Sequence, residues 1–186
     1  MIEWTTFNYY QQRNAVLTTE ECKGLIEYTK TKEAQVSILG AENDPTRNSD
    51  LFWLDKVRDT DFGWLFDKLK TVIDQYNLDY NFEIEDGFHF IQIAKYKPGQ
   101  MYHTHMDLGM GSASRRKITL VVQLSHPSDS DGGVSFGFDA NNYVKPVLNQ
   151  GDGVLFPCFL QHRAESVTVG ERYSLVVWAL GKSHLR

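Results

Sequence analysis

The sequence predicts one α+β domain in which a mainly β core, a sandwich or a barrel, is buttressed by helices. Two amphipathic helical segments occur in the first half of the chain, and many short strand-like segments separated by turn residues follow after residue 78. No helices alternate with these strands, which disfavours a doubly wound fold. The length of 186 residues fits a single domain, and 41% hydrophobic residues are enough to form a core.

The two helices are expected at about 19–33 and 61–77. The first begins at a capping box, Thr18 to Glu21, in which a hydroxyl group and a glutamate bond reciprocally to backbone N–H groups. In the second, apolar residues recur on one face at helical spacing. These are Phe62, Leu65, Phe66, Leu69, Ile73 and Tyr76.

Nine strands are expected after the helices, because short runs of β-forming residues are separated by Asp-Gly and Pro-Gly pairs and by glycine-rich turns. We place them near 80–85, 88–96, 101–107, 117–125, 133–138, 144–148, 153–157, 162–169 and 172–180. Between the two helices, residues 40–50 are rich in Gly, Asn, Asp and Ser, and this composition indicates an exposed loop.

Composition excludes several classes of function. The net charge of −5 argues against broad, charge-driven binding to nucleic acid or to anionic membranes. Two cysteines, Cys22 and Cys158, are too few for a disulfide framework or a cysteine-only zinc site, and we expect reduced thiols. The first residues lack a signal-peptide pattern, and no stretch approaches the roughly 18 apolar residues of a membrane span. A cytoplasmic protein that binds neither nucleic acid nor membrane is therefore expected.

A candidate metal site begins with His105 and Asp107, in a segment expected to be a strand. Residues two apart in a strand point to the same side, so this imidazole and this carboxylate are expected to meet at one point. His162, at the head of another expected strand, is the candidate third ligand. Two histidines and one carboxylate match the facial triad of non-haem Fe(II) oxygenases, which leaves three octahedral positions open. Two alternatives stay open: His103 replaces or supplements His105, or the His-x-Asp pair occurs by chance.

Arg172 lies ten residues after His162, the third candidate ligand. In the last expected strand it shares one face with Ser174 and Trp178. A buried arginine needs an anionic partner, because an unpaired buried charge is costly. A dicarboxylate bound to the metal supplies that partner through a bidentate pair, with the Ser174 hydroxyl as an additional donor. In the alternative interpretation, Arg172 starts its strand at the surface and pairs with Glu171 or Glu165.

The order and spacing of these motifs resemble the iron(II)- and 2-oxoglutarate-dependent oxygenases, in particular their prolyl-4-hydroxylase-like branch of microbial type. The resemblance rests, besides the residues above, on Tyr96-Lys-Pro-Gly99-Gln-Met-Tyr102, Asp131-Gly132-Gly133-Val-Ser-Phe136, Gly151-Asp-Gly153-Val-Leu-Phe156-Pro157 and Val176-Val177-Trp178. It covers about residues 88–181. It implies a single domain with a double-stranded β-helix (jelly roll) over about 79–181 and helical support over about 1–78. Residues 47–54 resemble a segment near the substrate mouth of this branch.

The resemblance also implies a role for each candidate residue. His105, Asp107 and His162 are the implied iron ligands. Arg172 is the implied partner of the distal carboxylate of 2-oxoglutarate, and Tyr96 and Ser174 are implied further contacts of this cosubstrate. The implied cofactor is Fe(II), with 2-oxoglutarate and O2 as cosubstrates and ascorbate as a candidate accessory.

The implied reaction is hydroxylation of a substrate C–H bond with release of succinate and CO2. A peptidyl prolyl residue is the implied target, so a protein or peptide is the expected partner. Two alternatives stay open at this point. The same scaffold can hydroxylate a free amino acid or another small molecule, or the chain can be a non-catalytic, metal-binding jelly-roll module.

Overall fold

A computed structural model describes residues 9–41, 44–137 and 143–183 of the chain. Two helices pack on one curled antiparallel sheet, which confirms the expected mainly β architecture with buttressing helices. The helices are α1 (Thr19–Lys30) and α2 (Gly63–Tyr80). The strands are β1 (Gln11–Arg13), β2 (Gln35–Ala41), β3 (Asp44–Asp55), β4 (Phe90–Tyr96), β5 (Met101–His105), β6 (Arg116–Gln123), β7 (Val134–Gly137), β8 (Tyr143–Val144), β9 (Gly153–Pro157), β10 (His162–Ala164) and β11 (Arg172–Leu180). No helix in these ranges is long and apolar enough to span a membrane.

The sheet brings strands that are distant in sequence into contact. Its order is β1-β9-β6-β11-β4-β3-β5-β10-β7-β8, with β2 paired to β3 outside this order. Each of these pairings is antiparallel. Strand β3 joins the two halves, because it pairs with β4 near its end and with β5 near its start. The same order places β5 beside β10, the two strands that supply the candidate histidine ligands.

The two faces of the sheet have different roles, and β11 shows how they separate. Its residues Leu175 and Val177 pack with the helices in the main hydrophobic core. The alternate residues Arg172, Ser174 and Trp178 line a cavity on the inner face, which confirms that they share one side of the strand. The outer face of the sheet is therefore apolar where the helices cover it, and the inner face carries both apolar and polar side chains towards the cavity.

The helices form where their sequence signals predict. The backbone N–H of Thr18 donates to the Glu21 carboxylate at 2.7 Å, and the N–H of Glu21 donates to the Thr18 hydroxyl at 3.2 Å, so the capping box is confirmed. Glu21 also pairs with Lys68 of α2 at 2.7 Å, which joins the two helices. Of the apolar face expected for α2, the buried members are Leu65, Phe66, Leu69, Ile73 and Tyr76.

The expectation of an exposed loop at 40–50 is wrong. Most of this segment is strand, because β2 ends at Ala41, β3 begins at Asp44, and the two strands pair with each other. Residues 42–43 lie outside the described residues. The supporting segment 1–78 is therefore not only helical: it contributes three strands, one of them central in the sheet. The polar composition that suggests a loop has another cause, since Arg47 and Ser49 are buried on the cavity side of β3.

Several expected strands are shorter than expected, and one is absent. Residues 80–85 contain no strand beyond a single bridge at Ile84. Helix α2 continues to Tyr80, and the residue after it, Asn81, caps the helix in a left-handed conformation. The expected strand 101–107 ends at His105, so Asp107 lies two residues beyond it. Strand β10 covers only the first three residues of 162–169, and β8 covers residues 143–144 instead of 144–148. Residue 138, the end of another expected strand, lies outside the described residues.

We expect Asp131→Asn to lower the melting temperature by a few degrees at pH 7 and to have a much smaller effect near pH 2. The Asp131 carboxylate accepts hydrogen bonds from the N–H groups of Thr168 at 2.8 Å and Val169 at 3.1 Å, as well as from the Thr168 hydroxyl. These bonds lower the pKa of Asp131 from 3.8 to about 2. A carboxylate whose pKa is lower in the folded than in the unfolded state stabilises the fold at pH values above the unfolded-state pKa. This stabilisation is lost as the pH falls through the folded-state pKa. Melting curves of both proteins between pH 2 and 7 test this, and a constant difference would contradict it.

Candidate active site

A cavity of about 260 Å³ opens on the inner face of the sheet. Its wall comes from β3, β4, β5, β6, β7, β10 and β11, together with Asp107 from the turn after β5. All six residues for which the sequence predicts a site role line this cavity: Tyr96, His105, Asp107, His162, Arg172 and Ser174. The fold thus brings the predicted residues to one place, although they are spread over 79 positions of the chain.

Three of these residues form a compact donor group, which we call the His-Asp-His triad. His105 is the last residue of β5 and His162 is the first residue of β10, and the two are directly paired in the sheet. Asp107 follows in a turn held by the Cys158 carbonyl, which accepts the Asp107 N–H at 2.9 Å. One nitrogen or oxygen atom from each of the three side chains lies within 4.8 Å of the others, a spacing that suits a shared metal ion.

Backbone carbonyls orient both imidazoles. The Nδ1 of His105 lies 2.7 Å from the carbonyl of His103, and the Nδ1 of His162 lies 3.0 Å from the carbonyl of Leu160. A carbonyl only accepts, so Nδ1 is the hydrogen-bond donor in each ring and Nε2 is the ring nitrogen that remains for another contact. The two Nε2 atoms are 3.7 and 3.5 Å from the oxygens of Asp107. Both Nε2 atoms therefore lie next to the carboxylate, as metal coordination requires.

The charge states of the triad also favour a cation. Burial, and then repulsion from His162, lower the pKa of His105 from 6.5 to about 4, so its imidazole is neutral at pH 7. Burial alone would raise the pKa of Asp107, but the two histidines and the Thr119 hydroxyl together hold it below 3.8. A buried, ionised carboxylate beside two imidazoles, that of His105 neutral at pH 7, is a donor set for a divalent transition metal.

Two other residues near the triad, His103 and Cys158, do not belong to the donor group. His103 is exposed, and only its backbone carbonyl contacts His105, so its side chain is not part of the donor group. Cys158 is buried and donates to the Arg116 carbonyl at 2.8 Å. Burial raises the pKa of the Cys158 thiol to about 11, which disfavours the thiolate that a metal needs.

Thr119→Val is expected to weaken metal binding by about 10- to 100-fold, the usual effect of removing a group that orients a metal ligand. The Thr119 hydroxyl donates to Oδ2 of Asp107 at 2.6 Å, and valine has the same shape but no donor. Competition titration of the apoprotein with Fe(II) or Mn(II) against a chelating dye measures the change. Ser114→Ala, which removes a buried hydroxyl bonded to Gly111 and Ser183, is the matched control. Equal affinity of Thr119→Val and the unmodified protein would contradict the assignment.

Arg172 is buried, which excludes the surface interpretation of this residue. Only 2% of it is exposed, and burial lowers its pKa. Its Nε donates to Oε1 of Gln123 at 3.1 Å, and one terminal nitrogen lies 3.5 Å from the Ser174 hydroxyl. The two acidic residues considered as surface partners pair elsewhere, Glu171 with Lys95 and Glu165 with Lys145, each at 2.8 Å.

Arg172 thus presents a buried cation to the cavity with only neutral hydrogen-bond partners among the described residues. Tyr96 is its direct partner in the sheet, and the Arg172 guanidinium lies 5.7 Å from the Tyr96 ring. Such an arrangement fits an anionic ligand, because an unpaired buried cation is costly. A carboxylate bound bidentately by the guanidinium satisfies both charge and geometry.

Sequence reasoning missed three residues of the site. Thr119 and Gln123 lie on β6 within an apolar run and bond to Asp107 and Arg172, and nothing local in the sequence distinguishes them. Arg116, at the start of the same strand, stacks on the Trp178 ring at 3.8 Å and donates to the backbone carbonyl of Asp107 at 3.3 Å. The contact of Arg116 with the cavity depends on the pairing of β6 with β11, which no local pattern predicts.

The curled antiparallel sheet and the buried His-Asp-His triad define a jelly-roll protein of the facial-triad class. Within that class, residues 91–180 match the family model described as the 2OG-Fe(II) oxygenase superfamily. The chain is similar to this superfamily over that segment, which confirms the family resemblance of the sequence motifs.

Curated relatives are hydroxylases of one type. A PKHD-type hydroxylase of Idiomarina loihiensis is 34% identical over 88 residues, which cover 47% of this chain and 40% of the relative. A PKHD-type hydroxylase of Hyphomonas neptunium is 32% identical over 90 residues, covering 45% of this chain and 40% of the relative. The chain therefore matches less than half the length of these relatives.

Solved structures extend the fold match to almost the whole chain. A prolyl-4-hydroxylase of Pseudomonas putida superposes with a TM-score of 0.75 at 18% identity and covers 94% of both chains. A viral collagen prolyl hydroxylase of Paramecium Bursaria Chlorella virus-1 gives a TM-score of 0.68 at 24% identity, covering 94% of this chain and 97% of that one. At these identities the comparison establishes the fold.

Proposed function

We propose that this chain is an Fe(II)- and 2-oxoglutarate-dependent dioxygenase that hydroxylates a substrate C–H bond. The observation on which the proposal depends is that the His-Asp-His triad and the buried Arg172 line one cavity. A metal site alone would also suit a binding module. A buried cation without an acidic partner, beside that metal site, favours a second, anionic ligand.

In this proposal the triad holds Fe(II) through two Nε2 atoms and the Asp107 carboxylate. The donor set fits the ion, since neutral imidazoles and a carboxylate are typical ligands of non-haem Fe(II). Bound Fe(II) supplies the activation of O2 that couples conversion of 2-oxoglutarate to succinate and CO2 with hydroxylation of the substrate. The carbonyls of His103 and Leu160 fix the imidazole tautomers, and Thr119 fixes one carboxylate oxygen.

The cosubstrate is proposed to be held at its far end by Arg172. Its guanidinium binds the distal carboxylate of 2-oxoglutarate, with Ser174 beside it and the Tyr96 ring next to the guanidinium. Gln123 fixes Nε of Arg172, which leaves the terminal nitrogens for the ligand. Because one end of the cosubstrate is anchored, its orientation relative to the triad is set before the substrate binds. Ascorbate stays a predicted accessory, tested by adding it to the turnover assay.

A peptidyl prolyl residue is the proposed target. The prolyl hydroxylases among the structural neighbours support it, one of them described in complex with a peptide fragment of hypoxia inducible factor. The cavity supplies an apolar wall suited to an aliphatic ring, formed by Leu51, Trp53, Val176 and Trp178. A free amino acid or another small molecule is the alternative target on the same scaffold.

The decisive experiment is an anaerobic titration of the apoprotein with Fe(II) and 2-oxoglutarate, monitored for the visible metal-to-ligand charge-transfer band. A band that saturates at one equivalent of each is expected. The complex is then exposed to O2 with proline-rich peptides or with free amino acids, and succinate is quantified. Absence of the band would overturn the enzyme proposal in favour of a metal-binding module. A band with succinate release stimulated only by free amino acids would overturn the peptidyl target alone.

A further inference from the structure

The cavity holds more positive charge than the triad and 2-oxoglutarate account for. Among the described residues, its charged side chains are one carboxylate, Asp107, and the arginines Arg47, Arg116, Arg163 and Arg172. Arg163 lies 3.4 Å from Glu165, and Arg116 lies 3.9 Å from the Asp107 carboxylate. The proposed function assigns Arg172 to 2-oxoglutarate. Arg47 is the arginine left without an acidic partner among the described residues.

The surroundings of Arg47 repeat those of Arg172. Arg47 is only 8% exposed, and its Nε donates to a neutral side chain of its own strand, the Ser49 hydroxyl, at 3.0 Å. Its guanidinium lies 4.7 Å from the centre of the Tyr102 ring. Arg172 is bonded through Nε to a neutral amide and lies beside the Tyr96 ring. In both cases the protein fixes the guanidinium through Nε. One terminal nitrogen of Arg172 also lies 3.5 Å from the Ser174 hydroxyl, whereas no hydrogen bond from the described residues occupies the terminal nitrogens of Arg47, so these are available to a ligand.

Arg47 is also close to the triad. The Tyr102 ring that underlies its guanidinium stacks on the His105 imidazole, with ring centres 3.5 Å apart. Arg47 and Tyr102 are direct partners in the pairing of β3 with β5. A ligand group bound by Arg47 is therefore separated from a metal ligand by a single aromatic ring. This placement suits an anchor for the substrate beside the reacting centre.

We propose that Arg47 binds a carboxylate of the substrate, so that the hydroxylated compound is a carboxylate-bearing one. The inference deepens the proposed function and rests on it. A buried arginine with free terminal nitrogens selects a planar anion with two oxygens, and a substrate carboxylate meets this requirement. The carboxylate belongs either to a free or chain-terminal amino acid or to an acidic side chain next to the hydroxylated residue.

Calorimetric titration of the anaerobic complex with Fe(II) and saturating 2-oxoglutarate tests the inference with two matched pairs of probes. N-acetyl-L-proline against N-acetyl-L-prolinamide tests a terminal carboxylate. Acetyl-Pro-Glu-amide against acetyl-Pro-Gln-amide tests an acidic side chain. The unmodified protein is expected to bind the acid of one pair at least about tenfold more tightly than its neutral partner. The pair that shows the preference identifies the source of the carboxylate.

The preference is expected to vanish in Arg47→Gln, to be partly retained in Arg47→Lys, and to be unchanged in Arg58→Gln. Arg58 is a matched control because its exposed side chain pairs with Asp55 and lies outside the cavity wall. Equal affinity for acid and neutral probes in both pairs, or no binding of either acid at millimolar concentration, would overturn the inference. The charge-transfer band of the same samples separates the failures: with the band present only the inference fails, and without it the proposed function fails too.

Discussion

Alanine in place of any triad residue is expected to abolish 2-oxoglutarate turnover, with a loss well beyond the 10- to 100-fold typical of groups that only orient a metal ligand. His105, Asp107 and His162 each supply one donor atom of a three-atom group, so one removal leaves two protein ligands. Asp107 adds a second effect, since it is the only carboxylate in the described cavity wall and its loss leaves Arg116, 3.9 Å away, without its counter-charge there. Succinate formation and Fe(II) affinity, measured on the same preparations, test the expectation.

His103→Ala is the matched control for the triad. His103 lies two residues before His105, but its side chain is exposed and the hydrogen bond to the His105 ring comes from its backbone carbonyl, which alanine retains. Turnover close to that of the unmodified protein is therefore expected. Full turnover by His105→Ala combined with loss in His103→Ala would contradict the ligand assignment and favour the alternative that the sequence leaves open.

The elements with one clear periodicity could be predicted from the sequence. On β11 the alternation of period two places Leu175 and Val177 towards the helices and Arg172 and Ser174 towards the cavity, and the structure has them there. In α2 a period of 3.6 identifies the buried face. Strand β3 could not be predicted in the same way. Its inner side faces a polar cavity, so Arg47 and Ser49 interrupt the apolar pattern that normally marks a central strand.

Some contacts of the candidate site could likewise be predicted from local sequence, and others could not. His105 and Asp107 are two residues apart, and local spacing is enough to bring them together even though Asp107 lies beyond the strand end. The contacts of Thr119 with Asp107 and of Gln123 with Arg172 join residues 12 and 49 positions apart, and they depend on the place of β6 in the sheet. Such contacts follow from the register of the whole sheet, which no local pattern determines.

Arg172→Gln is expected to raise the dissociation constant of 2-oxoglutarate by about 10- to 100-fold, because a charged hydrogen-bonding group contributes about 1.5–3 kcal/mol and each 1.4 kcal/mol is a factor of ten. Glutamine keeps a polar side chain that can bond to Gln123 and Ser174, but it has no charge and no bidentate fork. Anaerobic titration of the charge-transfer band gives the dissociation constant. Ser174→Ala, which removes one neutral hydroxyl from the same cavity wall, is expected to have a smaller effect.

Thermal melting distinguishes loss of the ligand site from loss of the fold. Without 2-oxoglutarate, Arg172 is a buried cation with neutral partners, so Arg172→Gln is expected to melt at the same or a higher temperature than the unmodified apoprotein. The increase in melting temperature that 2-oxoglutarate produces in the Fe(II)-loaded protein should shrink, because that increase depends on the ratio of ligand concentration to dissociation constant. A less stable apoprotein with an undiminished ligand-induced shift would show that Arg172 maintains the sheet and does not bind the cosubstrate. The melting temperature of the apoprotein therefore distinguishes the two roles. If Arg172 is purely structural, Arg172→Gln lowers this temperature, and if Arg172 binds the ligand, it does not.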